Sequence, residues 1–175
     1  ELYLSQQIIN EIENNSEGAE LDFLIDYYSK NLERIFAEMI NRHPKREKIF
    51  KEILKAHKSG NFFLSIPTIL TQVDGICFDY TQKLFFMKNR KNKHLPQVTT
   101  DLEKLAGCIF ELFLSPFQNQ TPIMVREEEI DRYPSKLNRH RILHGISTDY
   151  GTKVNSLKCV SLLKYVSDML IEADK

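Results

Sequence analysis

Neither sign of charge is in excess in this chain: 24 Lys and Arg offset 24 Asp and Glu, for a formal net charge of zero. A global basic field advertising nucleic acid is therefore excluded, and any anion site must be a local cleft. Glycine and proline are scarce, six each in 175 residues, which suits helices better than a β-sandwich with its many turns. No run of 18 apolar residues occurs and no signal peptide opens the chain, so a cytoplasmic protein without a membrane span is expected. Cysteine is limited to Cys77, Cys108 and Cys159, an odd number without CxxC spacing, each in an apolar run. That is the pattern of buried, reduced thiols rather than a disulfide framework. The chain opens on Glu1 and not on Met, which leaves room for preceding sequence.

What is present is helical periodicity. Hydrophobic residues make up 42% and charged residues 27%, enough for a sizeable core in a globular chain of this length. Leu2, Leu4, Ile8, Ile9 and Ile12 read as an amphipathic helix over 2–13. A long helix over 20–41 follows, with Leu21, Leu24, Tyr28, Leu32, Ile35 and Met39 at steps of three and four. His43-Pro44 should end it, since the residue before Pro avoids helical geometry. A helix over 46–58 has a thin stripe of Phe50, Ile53 and Leu54, with Lys48, Lys51, Lys55 and Lys58 on its other face. After Ser59-Gly60-Asn61, the most apolar stretch, 62–87, is expected to be the central helix. Its core face would be Leu70, Val73, Cys77, Tyr80 and Leu84, with Pro67 either starting it behind a Ser65 cap or kinking it. Gly75 could permit close helix approach. Residues 88–94 form a basic loop, and Thr100-x-x-Glu103 is a capping box opening a helix that stops at Ser115-Pro116. The stretch 116–134 should be irregular, with an acidic patch at Glu127-Glu128-Glu129 and room for a short helical turn. A last helix, capped by Asn155 or Ser156, has a wide apolar face of Leu157, Val160, Leu163, Val166 and Leu170. The fold class is therefore an all-α antiparallel helical bundle. It divides into an N-terminal helical region over 1–60 and a bundle over 61–175, or forms one continuous domain.

The chemistry concentrates in Ser135-Lys-Leu-Asn-Arg-His-Arg-Ile-Leu-His144, closed by Gly145. Ser135 is placed to cap a short helix and Gly145 to stop it. The segment has no acidic residue, so an anionic partner is expected. Each helical residue turns by roughly 100°, so His140 and His144 share a face. Arg139 lies off that face but is long enough to reach the same cleft. A histidine exchanges protons near neutral pH, and an arginine offers forked donors to a phosphate in the transition state.

Arg139-His140-x-x-x-His144 resembles the signature of the HEPN superfamily, all-α proteins that include metal-independent ribonucleases of bacterial defence and toxin systems. The resemblance implies Arg139 and His144 as catalytic residues, with His140 supporting them at the variable second position. It also implies a homodimer that faces two motifs across one cleft, single-stranded RNA as substrate, 2′,3′-cyclic phosphate products and no cofactor or metal. A toxin-antitoxin or phage-defence setting, with an antitoxin or further domain as partner, would follow. By proximity, Asn138 and Tyr150 are candidate orienting groups, and Lys136 and Arg141 candidate RNA contacts. Asp74, a carboxylate in a mostly buried helix, is either an ordinary solvent-facing Asp or needs a partner, for which Arg139 is an obvious candidate. Toxins of this family that are silenced at a tyrosine carry Tyr two residues after the histidine; Ile146 stands there.

Alternative readings remain open. The motif could brace a helix end in a non-catalytic, HEPN-like interaction module. His140 and His144 could ligate zinc, although no Cys, Asp or Glu stands nearby at ligand spacing. An Arg139–Asp74 pair with both histidines buried would mark a scaffold, and an open cleft at a two-fold axis an enzyme.

Overall fold

The computed structural model describes residues 19–88, 96, 121–133 and 135–173. The expected helices over 2–13 and from Thr100 to Ser115, and most of the basic loop, lie outside the described residues. Within them the fold is all-α. Five helices are present: α1 (Ala19–Arg42), α2 (Glu47–Lys58), α3 (Phe62–Thr81), α4 (Arg139–Leu143) and α5 (Lys153–Ala173). Short 3-10 turns cover Pro44–Arg46 and Glu127–Arg132, and one isolated bridge pairs Lys88 with Pro96.

One hydrophobic cluster joins the long helices. Ile35, Phe36 and Met39 come from α1, Phe50 and Ile53 from α2, Ile66, Leu70, Val73 and Cys77 from α3, and Leu157, Val160, Leu163 and Leu170 from α5. The helix α3 packs against α5 and α2, and α1 against the same two. Nearly every turn of α3 is apolar, which suits a helix covered by both α2 and α5. The Cys77 and Cys159 thiols are free and buried; burial raises both, Cys159 to about 12, so they stay protonated.

The boundaries correct several expectations. The helix α3 begins at Phe62 behind Asn61, and Ser65 is not its cap but a buried residue within it. Pro67 sits inside the helix. Proline has no N–H to offer the carbonyl four residues back. That carbonyl, Phe63 O, instead accepts the Tyr150 hydroxyl at 3.2 Å. The same junction seats the Phe63 ring on Gly151, where a Cβ would stand 2.5 Å from it.

The far end of α3 also differs. It stops at Thr81 because Gln82 turns left-handed (φ 56°), and the chain doubles back to bury Phe85 and Phe86. Leu84 therefore lies outside the helix, and Tyr80, in the last turn, is exposed with its ring edge-on to His43. Gly75 admits a side chain rather than a helix. The Arg46 guanidinium lies where its Cβ would be, donating to Gly75 O (2.7 Å), Gln72 Oε1 (2.8 Å) and Asp79 Oδ2 (2.9 Å).

The α5 cap is Thr152, whose hydroxyl accepts Asn155 N at 3.1 Å, and neither Asn155 nor Ser156 serves. Asn155 donates instead to Tyr150 O, and Ser156 is buried.

Candidate functional site

The motif helix is shorter than its sequence suggests. Residues 135–138 are not helical and α4 spans only Arg139–Leu143. Its cap is Asn138 rather than Ser135, because Asn138 Oδ1 accepts Arg141 N at 3.1 Å. The Asn138 amide also donates to Pro122 O (2.9 Å) and Val125 O (3.0 Å). It is fully buried, so it fastens α4 to the turn at 121–125. Gly145 ends the segment with φ 71°, as expected, and Ile146 N closes on Arg141 O at 2.8 Å.

Arg139 is held from two sides. Its Nη2 stands 3.5 Å from Asp74 Oδ2, and its guanidinium lies over the Phe86 ring, 5.0 Å from the centroid. Asp74 Oδ1 in turn accepts Phe86 N at 2.9 Å. One carboxylate thus ties together α3, the doubled-back chain and α4. Burial raises the Asp74 carboxyl above its usual range, with the Phe86 N–H, Arg139 and the Phe85 N–H opposing the shift. Arg139 Nε is buried without a hydrogen-bond partner.

His140 and His144 are both exposed, their ring centroids 4.3 Å apart and tilted by 51°. The shared face is therefore real, although His144 caps α4 instead of belonging to it. Arg139 and His140 line an open cleft of about 300 Å³, whose other walls include Phe86, Lys88, Met124 and Glu127. Among the described residues no three His, Cys, Asp or Glu side chains are grouped to hold a metal, and no helix is long and apolar enough to cross a membrane.

The remaining candidates separate. Tyr150 is placed against Phe63, with ring centroids 5.1 Å apart, and is not a cleft residue. Lys136 turns to Ile130 O (3.3 Å) and Asp131 (3.4 Å). Arg141 is half-buried.

Two histidines that sequence reasoning passed over are buried. His43 Nε2 bonds Ser167 Oγ at 2.8 Å, and His57 Nδ1 bonds Ser156 Oγ at 2.7 Å. Burial, reinforced by Arg46 and Arg42, pushes His43 down to about 4, and burial likewise lowers His57. Only the spacing of His57 with Phe50, Ile53 and Leu54 could have shown that it completes the α2 stripe. In comparisons with known proteins, no family model, curated sequence or solved structure matches the chain.

Proposed function

We propose that this protein is a metal-independent endoribonuclease of HEPN type, cutting single-stranded RNA at a site shared by two copies, in a bacterial defence or toxin-antitoxin setting. One observation carries the reading: a fixed arginine and His140 line an open cleft, and the exposed His144 stands against the His140 ring. A guanidinium already oriented by Asp74 and Phe86 can receive a phosphate without first being ordered. In the reaction, the 2′-oxygen forms a bond to the adjacent phosphorus and the bond to the 5′-oxygen breaks. His144 takes the 2′ proton, a protonated histidine gives its proton to the leaving 5′-oxygen, and Arg139 meets the charge on the phosphate. Two proton transfers from so sparse a motif are the reason for invoking a second copy.

A second reading, a non-catalytic HEPN-like interaction module, is favoured by the Arg139–Asp74 contact itself. That contact braces α4 against α3 whether or not RNA is ever present. The test is incubation of labelled single-stranded RNA with the protein in EDTA, with end analysis of the products and sizing of the protein. Fragments ending in 2′,3′-cyclic phosphate, made by a dimer, are expected. Intact RNA after incubation with folded, dimeric protein would overturn the enzyme and leave the interaction module.

A further inference from the structure

The wall of the cleft beside Arg139 has charges of both signs. Arg139, His140, Lys88 and Arg126 bring positive or protonatable groups to it, whereas Glu127 and Glu128, on the 3-10 turn, bring carboxylates. Neither carboxylate has an ion-pair partner among the described residues. A site for phosphates alone would be weakened by two carboxylates on its wall, because like charges repel in a confined cleft. The carboxylates suit a neutral group rich in N–H donors lying next to a phosphate.

We infer that this cleft is a nucleobase subsite selective for guanine, with the adjoining phosphate at Arg139. This rests on the ribonuclease reading for its substrate class. An ionised carboxylate accepts hydrogen bonds only, through two oxygens side by side. On the Watson–Crick edge, guanine alone presents two adjacent donors, N1–H and the 2-amino group. Adenine, cytosine and uracil each set acceptors beside a donor. Unstacked bases in single-stranded RNA expose that edge and settle on apolar or planar groups. Met124 supplies such a surface here. The volume of about 300 Å³ is at the small end of ligand sites and suits one nucleotide rather than a duplex. Asn138 fastens the part of the cleft wall at 121–125 that includes Met124.

The test is calorimetric titration of the full chain, in EDTA, with the 3′- and 5′-monophosphates of all four nucleosides. It is run on wild type and on the Glu127→Gln/Glu128→Gln double variant, and cleavage sites on mixed-sequence RNA are mapped in parallel. Guanosine monophosphate should bind about tenfold more tightly than the others, the scale of one two-pronged base contact. The double variant, with an unchanged melting curve, should lose that preference. Equal binding of all four, no binding of any, or a guanine preference that survives in the double variant would overturn the subsite. RNA cut without regard to guanine would sink the subsite and leave the ribonuclease. Selective guanosine binding by a protein that cuts no RNA would do the reverse.

Discussion

Four described histidines divide between two regions, and the division separates structure from candidate chemistry. His43 and His57 lie under α5, each bonded to a serine, and both are driven toward the neutral form. His140 and His144 stand exposed and side by side next to a braced arginine. In the first region a histidine fills space and satisfies a buried hydroxyl. In the second its ring is free to meet solvent and ligand. The difference lies in burial and partners, since the residue is the same.

That contrast can be broken in several ways. His57→Ala should cost the most stability, about 2–4 kcal/mol, because it empties a buried site against Phe62 and removes the bond to Ser156. Chemical denaturation reads it, and a loss under about 0.5 kcal/mol would erase the contrast. Acid should act through the same region. His43 has a folded pKa of about 4, below the ordinary 6.5 of the unfolded chain. Its contribution is full above pH 6.5 and is lost as pH falls toward 4, up to roughly 2–3 kcal/mol. His57 adds in the same direction, whereas the raised Asp74 opposes it modestly. A pH series of unfolding free energies should therefore decline over that window and flatten in His43→Gln.

Gly75→Ala should cost about 1 kcal/mol in wild type, since losing the Arg46 bonds outweighs the gain in helix propensity. In an Arg46→Ala background the same change should stabilise by about 1 kcal/mol. A double-mutant cycle without that reversal would refute the seat. Tyr150→Phe should cost least, at most about 1 kcal/mol, because Phe63 O at that exposed junction can turn to water. Its RNA cleavage should stay at the wild-type rate, which places Tyr150 with the scaffold.

The helices α1, α2 and α5 could be read in advance because apolar residues three and four apart leave no other period to follow. The start of α3 was open between Phe62 and Pro67, and the helix begins at Phe62. The internal Pro67 frees the carbonyl of Phe63, and Tyr150, 87 residues beyond Phe63, takes it. The cap of α4 was misassigned to Ser135 for a similar reason. Ser135 and Asn138 are both good caps, and the carbonyls of Pro122 and Val125 decide between them. The Arg139–Asp74 contact was one of two readings of Asp74, and burial of the carboxylate in an apolar helix decides for it over a solvent-facing Asp. The serines that hold His43 and His57 stand 124 and 99 residues away, beyond any local pattern.

The most direct measurement is RNA cleavage by His144→Ala in EDTA, with its unfolding free energy taken on the same preparation. His144 is exposed, so stability should stay within about 0.5 kcal/mol of wild type while cleavage falls at least about a hundredfold. Cleavage at the wild-type rate by the folded variant would contradict the assignment of catalysis to the exposed pair.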